Sequence, residues 1–402
     1  MKTKSASLTP ARILTATILA LLLHACGGRN GAQTLDDCPV VAHTDKDGVV
    51  VCDYVSVRDT VNIPMSSLFS DFEIVRLENS DNALVGDGGT WPVWLSEHYL
   101  GIDSYEVGAY RLFDRKGKFL RNITTRGQGP NEFLFGIYDS YIDEEEGKIY
   151  ILPFRTAKIM VFDLSGNALE PIPLPFIVHK GRMKINVKER TLVMLALPFA
   201  DTPWVVWKQD FDGKIIQSIP AGRFVIDPGD YSNELGVTFN TPDIAYYLLR
   251  VVFSEDTLYH YDGNGNALIP AFTMHFTHEP LNHFYTELPG YYIFYPVSYT
   301  DDSHLPPVIV DKRTLKGAYV RWQADMLGNI FFERRFSFHQ GYASINLHPA
   351  ELKEKLESAL KHPGTLTEEM RQKLTELNNS ITDDDNNVVL IGKLKQQEES
   401  II

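Results

Sequence analysis

Cysteine is scarce in this chain: there are three in 402 residues, which allows one intramolecular bridge at most. No basic tract, helix-turn-helix pattern or zinc-finger spacing is present. Acidic residues outnumber lysine and arginine 52 to 38, for a net charge of −14, and removing residues 1–25, with three basic and no acidic side chains, leaves −17. A surface of that sign repels phosphate backbones and anionic headgroups, so a nucleic acid is excluded as a partner held through a general field. The G-x-S-x-G elbow, the H-E-x-x-H pair, the Walker loop and the dinucleotide fingerprint are all missing. The sequence therefore points away from an enzyme more than towards one, and it implies no cofactor. His275, His278 and His283 stand in H-x2-H-x4-H spacing, but that run starts in a strand pattern and contains Pro280. The imidazoles are expected to diverge, and no metal site is assigned. Asp383-Asp-Asp385 reads as a solvated turn rather than a Ca²⁺ site.

Long apolar runs are missing as well. Lys2, Lys4 and Arg12 precede an apolar stretch of 11 residues, Ile13 to Leu23, too short to span a bilayer as a helix, and Leu23-His-Ala-Cys26 follows at once. This is the pattern of a cleaved export signal over 1–25. Leu23 at minus three and Ala25 at minus one resemble the bacterial lipoprotein lipobox, which implies cleavage before Cys26 and diacylglycerol on its thiol. The expected partner is thus a membrane, through lipidated Cys26, and the expected location is the outer membrane or cell surface. An ordinary signal peptide with a chance cysteine is the plainer alternative. Residues 26–37 read as a flexible tether.

The two remaining cysteines, Cys38 and Cys52, flank Asp45-Lys-Asp-Gly48, a hairpin-turn signal between valine-rich runs. Residues 38–60 are read as an N-terminal hairpin cap. A Cys38–Cys52 disulfide would close that loop and contribute about 3 kcal/mol in an oxidising compartment, and two free thiols are the alternative.

The body of the chain is repetitive. A strand ends in a tight turn at Arg111 to Gly117, Met160 to Gly166, Lys208 to Gly213, Tyr259 to Gly265 and Ile309 to Thr314, with turns recurring every 47 to 52 residues. Such a period marks an array of small sheets, each burying its faces against its neighbours. Between 137 and 174 four strands are visible: Ile137 to Ile142, Lys148 to Leu152, Lys158 to Asp163 and Ala168 to Leu174. Four strands per unit is a propeller blade. Phe72 to Leu77 and Asn386 to Leu394 read as single strands at the two ends, and pairing them in one sheet closes a ring of six. Seven blades fit the length less well. The predicted fold is all-β, a six-bladed β-propeller over 61–402 with a short C-terminal helical insertion at 349–380. In that insertion Leu352, Leu356 and Leu360 form one stripe and Leu366, Met370, Leu374 and Leu377 a second. The stripes are expected to pack on the protein itself, the alternative being a lid or partner-docking face.

Arg126-Gly-Gln-Gly-Pro-Asn-Glu-Phe133 resembles the R/G-x-GQGPGE-F/Y motif of the six-bladed β-propeller lipoproteins of Bacteroidetes, distant relatives of NHL-repeat propellers. Phe72 to Glu78, Asp256 to Tyr259 and Asp385 to Leu390 fit the same family, so the resemblance spans most of 38–395. Asn131 stands where that family usually has glycine, and Asn387 where proline is common. If position 131 needs a positive φ, asparagine is the cheapest replacement.

The GQGP segment must cross from the outer strand of one blade to the inner strand of the next. Arg126, Gln128 and Glu132 are the candidate ligand-binding side chains there. A purely structural corner is the competing reading. Tyr246, Tyr247, Tyr291, Tyr292, Phe294 and Tyr295 are read as core rather than as sugar-stacking platforms. The functional expectation is a non-catalytic binding or interaction module for a glycan, a peptide or an envelope protein. The alternatives are a propeller enzyme of lyase or hydrolase type with its site at the central channel, as NHL-like lyases and lactonases have, or a structural subunit of an envelope complex.

Overall fold

A computed structural model describes residues 34–86, 93–104, 107–226, 230–249, 257–277, 282–297, 305–332, 336–362 and 366–396. The expectations for Cys26 and the signal peptide lie outside the described residues, as do those for His278 and Asp256.

The repeated turn is an aspartate device. In all five cases the last residue of a blade's third strand is an aspartate whose Oδ1 accepts backbone N–H groups of the following turn. Asp114 takes those of Lys116 and Lys118 (both 2.9 Å), Asp163 that of Asn167, Asp210 those of Asp212 and Lys214, Asp262 that of Asn264, and Asp311 those of Arg313 and Thr314. Asparagine and aspartate favour turns because the side chain replaces a backbone acceptor in this way. Gly117, Gly166 and Gly213 then supply φ near +86°.

Each hairpin joins the third and fourth strands of a four-stranded antiparallel blade, and six blades form the ring, two of them extended to six-stranded sheets. Blades 1 to 5 run in chain order from inner strands Val93–Leu95, Ile137–Asp143, Gly181–Asn186, Glu234–Thr238 and His283–Glu287. Blade 6 starts at Ser337–His339 and lacks the aspartate hairpin for a topological reason. Its third strand is Val388–Leu394 and its fourth is Phe69–Arg76, paired antiparallel with Leu390 opposite Ile74. The two chain ends thus close the ring as expected.

Burial follows the ring. Each junction between neighbouring blades has its own apolar cluster, for example Tyr110, Leu112, Ile149 and Ile151 between blades 1 and 2, and Leu100, Phe113, Val389 and Ile391 between blades 6 and 1. Each blade therefore depends on both of its neighbours. Tyr246, Tyr247, Tyr292, Phe294 and Tyr295 are buried in these junctions, as read from the sequence, and lie on second strands.

The hairpin at 38–60 forms, with Ala42–Thr44 against Val50–Asp53, but it does not stand apart as a cap. Val50–Asp53 adds in parallel to the outer edge of blade 4 at Phe272 to His275, and Thr60–Pro64 adds in parallel to blade 5 at Tyr319 to Gln323. This stitching corrects the disulfide expectation. Cys52 is buried with Phe272 and Met274 in the junction of blades 4 and 5, whereas Cys38 packs on Val61 and Ala318. Both are free, and burial pushes their thiols up, to about 12 for Cys52 and about 11 for Cys38.

The insertion forms two helices, Pro349–Lys361 and Glu368–Asn379. Leu352, Leu356 and Leu374 are fully buried in the junction of blades 5 and 6, with Leu360, Leu366, Met370 and Leu377 partly buried against it, so both stripes pack on their own protein. A backbone contact shows how tightly the blades are filled. Gly236 on the inner strand of blade 4 lies directly opposite Tyr247, and a Cβ there would sit 1.8 Å from the tyrosine ring. Gly236→Ala is expected to destabilise the protein by about 1–3 kcal/mol, the usual range for overpacking. A urea midpoint equal to that of wild type would show that the ring moves aside freely.

Candidate functional site

The upper face is taken as the end at which the inner strands begin, where each blade hands the chain to the next. The GQGP segment makes this crossing from blade 1 to blade 2. Phe133 is buried as its plug, and Gly127 N–H donates to Phe133 O at 3.0 Å. Glu132 folds back across the arch and its Oε2 accepts the Gly129 N–H at 2.8 Å. A Cβ at position 127 would lie 1.9 Å from that oxygen, so a larger residue there displaces the Glu132 carboxylate from the arch. Neither Gly127 nor Gly129 has a positive φ, and neither does Asn131, so the asparagine substitution carries no backbone strain. Of the three candidate side chains, Glu132 is committed to the corner while Gln128 and Arg126 are exposed.

Arg126 has a neighbour that sequence reasoning missed. Asp103, buried at the upper end of blade 1, accepts the Ile137 N–H at 2.9 Å and leaves Oδ1 without a hydrogen bond. Burial drives its pKa up to about 6, against the Ile137 hydrogen bond and the Arg126 charge, which lower it. No motif announces this aspartate, because its partners come from the next blade.

From the arch an aromatic row runs across the upper face. Phe135 meets Phe154 at 5.6 Å between centroids, Phe154 meets Tyr231 at 5.8 Å, and Tyr231 meets Phe199 at 5.0 Å. Phe135 and Tyr231 are 49% and 43% exposed, and Leu134 beside them is 56% exposed. His179 lies against the row, with Nδ1 at 3.3 Å from the Tyr231 hydroxyl and Nε2 at 3.4 Å from Asp201.

Polar contacts hold the row's base across three blades. Lys180 Nζ donates to Tyr231 O, Asn233 O and Glu234 Oε2 at 2.8, 2.8 and 2.9 Å, which uses all three ammonium protons. Tyr138 O–H donates to the same Glu234 oxygen at 2.7 Å, joining blade 2 to blade 4. Burial and the Glu234 charge both raise the Tyr138 pKa, so the phenol stays protonated as a donor. Arg182 stacks on the Tyr138 ring at 5.3 Å.

Below this layer, on the axis, Asp139 Oδ2 accepts the Met183 N–H at 2.8 Å and Oδ1 accepts the Trp94 indole N–H at 3.3 Å. His339 Nε2 from blade 6 is 3.8 Å from Asp139 Oδ1. Burial lowers the His339 pKa and keeps the imidazole neutral, with Asp139 opposing and Arg182 assisting. Asp139 is thus used in blade-to-blade hydrogen bonds, whereas His339 Nε2 is buried beside it without one.

Other residues singled out by sequence fall elsewhere. His275 ends the outer strand of blade 4, 3.7 Å from Asp53, while His283 is buried in the inner strand of blade 5, so the two diverge. Asp385 forms the turn before the closing strand, accepting the Thr382 N–H and the Asn79 amide. A separate open trough of about 640 Å³ crosses the opposite, lower face at blade 3.

No curated protein is similar to this chain. Solved structures are. A protein described as exported, from Bacteroides fragilis, aligns with a TM-score of 0.55 at 14% identity over 84% of this chain and 99% of its own, which shows a shared fold. A protein of unknown function from Bacteroides caccae gives 0.36 at 12% identity, over 57% of this chain and 80% of its own. An oligogalacturonate lyase solved with manganese gives 0.37 at 9% identity, over 83% and 97%. The family model described as domain of unknown function DUF4934 matches residues 50–393, the whole ring but for its last residue, and the chain belongs to that family.

Proposed function

We propose that this protein is a lipid-anchored binding module of the cell envelope, which takes a glycan, a peptide or a partner protein on its upper face. The observation that carries this reading is the aromatic row: two rings more than two-fifths exposed, next to an exposed leucine, on a base of fully bonded polar groups. Exposed rings held rigidly offer apolar area at little entropic cost, and the polar rim beside them, Gln128, Arg155 and Asp201, supplies orientation. Extended ligands with alternating apolar and polar surface, a peptide or a sugar chain, match that pattern. The buried stripes of the insertion helices leave those helices less suited to partner docking. The anchor is the lipid expected on Cys26.

Glycan-array and peptide-array screening of the mature protein, followed by titration calorimetry, tests the upper-face reading. For a ligand so found, Phe135→Ala with Tyr231→Ala is expected to weaken binding by about tenfold or more, the effect of truncating central aromatic anchors, with an unchanged melting temperature. Unchanged affinity in the double variant rules out the row as the binding surface. Labelling with a radioactive fatty acid, lost in Cys26→Ala, tests the anchor separately.

A further inference from the structure

The trough on the lower face lies apart from the aromatic row. It crosses the lower end of blade 3, from the first turn of blade 2 to the outer hairpin of blade 4, and its volume of about 640 Å³ lies within the range of about 300–1,000 Å³ typical of small-ligand sites.

Three features of its lining define what it suits. First, the charges are mixed: three lysines and four carboxylates line it, so a ligand of strong net charge meets repulsion wherever it finds attraction. Second, its polar groups are not all consumed. Asp143 is 7% exposed, and its Oδ1 accepts the turn N–H groups of Glu145 and Glu146 at 3.1 and 3.4 Å. Its Oδ2 is buried with no partner, a state that native proteins rarely leave unexplained. The exposed Lys184 ammonium, from the inner strand of blade 3, makes no hydrogen bond among the described residues and feels the charge of Asp243. Third, the wall carries the half-buried ring of Tyr141 and two carboxamides: Gln217, whose Nε2 donates to the Tyr261 hydroxyl and Gly263 O and leaves its oxygen to the cleft, and Asn186, whose Oδ1 accepts the Glu189 N–H and leaves its amide N–H groups. Carboxylates, carboxamides and an ammonium, set along one cleft, match neighbouring hydroxyl groups that both donate and accept. A phenol ring matches the C–H face of a pyranose.

We infer that this trough is a second binding site, for an uncharged oligosaccharide. It goes beyond the upper-face reading, since the two surfaces lie at opposite ends of the channel and share no residue.

Titration calorimetry of the mature protein with maltotriose, cellotriose and triacetylchitotriose tests it, with trigalacturonate and triglycine as an anionic and a zwitterionic probe. At least one neutral trisaccharide is expected to bind with one-to-one stoichiometry. Asp243→Asn and Asn186→Ala, both at exposed positions, should each weaken it by about three- to tenfold, the usual worth of a hydrogen bond at such a site. Phe135→Ala should leave it unchanged. The inference is overturned if none of the three neutral sugars binds, if only a charged probe binds, or if binding responds to Phe135→Ala and not to the trough variants. That last result would place the sugar on the upper face and leave the proposed function standing.

Discussion

Truncation after Asn387 is expected to abolish the cooperative fold. The segment removed, Val388–Leu394, is an interior strand of blade 6, between Tyr342–Leu347 and Phe69–Arg76, so its loss leaves two unpaired edges facing one gap. Val388, Val389, Leu390, Ile391 and Leu394 are all buried, and they belong to the clusters on both faces of the blade. At about 1.5–3 kcal/mol for each buried aliphatic side chain, the loss approaches about 10 kcal/mol, as much as the whole stability of an ordinary domain. No other element can substitute, because a ring has no spare junction. The truncated chain should show no cooperative thermal transition and should aggregate, whereas a synthetic peptide of residues 386–396 added during refolding should restore part of the native signal. A sharp melt in the truncated chain without the peptide would mean that the ring is not needed for folding.

Replacing Glu287 is the second large effect. This carboxylate, 2% exposed at the end of blade 5's inner strand, accepts hydrogen bonds from His260 Nε2 of blade 4 at 2.7 Å and from Lys312 Nζ at 2.5 Å. His260 Nδ1 is 3.6 Å from Asp243, and Lys312 lies 4.8 Å from the Tyr292 ring. Removing one member of such a cluster leaves its partners charged and half-buried. Glu287→Ala is therefore expected to cost about 3–5 kcal/mol, with Glu287→Gln intermediate because it keeps an acceptor.

Stability should also change with pH in a way that these two groups define. Burial raises the Glu287 pKa, but the hydrogen bond from His260 and the charge of Lys312 outweigh it, and the net shift is downward from 4.5. A depressed carboxylate contributes stability that is complete above its unfolded value and fades as pH falls through the folded one. For His260, burial lowers the pKa, but the hydrogen bond and charge of Glu287, with Asp243, raise it above 6.5. That contribution is complete below 6.5 and is lost as pH rises through the folded value. The cluster therefore stabilises most between about pH 4.5 and 6.5. Urea titrations of wild type and Glu287→Ala at pH 5.5 and pH 8.5 should show a smaller gap at the higher pH. An equal gap at both would remove His260 from the account.

The axial Asp139–His339 contact and the Tyr138–Glu234 bond have one property in common: each joins blades that are far apart along the chain. Tyr138 and Glu234 are 96 residues apart, and no spacing rule connects them. The aspartate turns were legible because acceptor and donors lie within four residues of one another, as Asp114 and Lys118 do. The helix stripes were legible for the same reason, and the ring closure could be read because two lone strands at the ends of a sheet array have one economical use. Cys38 and Cys52 show the limit. Their spacing suits a hairpin bridge, but the hairpin is drawn onto blades 4 and 5, which carries the two thiols into different clusters. The glycines of the GQGP arch were legible as a corner, while the carboxylate folded across Gly127 was not.

By itself, then, the order of residues determined the turns and the strand count per blade, because these rest on patterns within a few tens of residues, and the six-fold closure, because two lone end strands have one economical use. Tertiary structure alone decided which faces are open. It set Phe135 and Tyr231 on the same central ring, Phe154, buried Asp143 in the wall of the trough and used Asp139 in blade-to-blade hydrogen bonds, since closing the ring brings six distant strands to one axis and leaves to packing which side chains still face water.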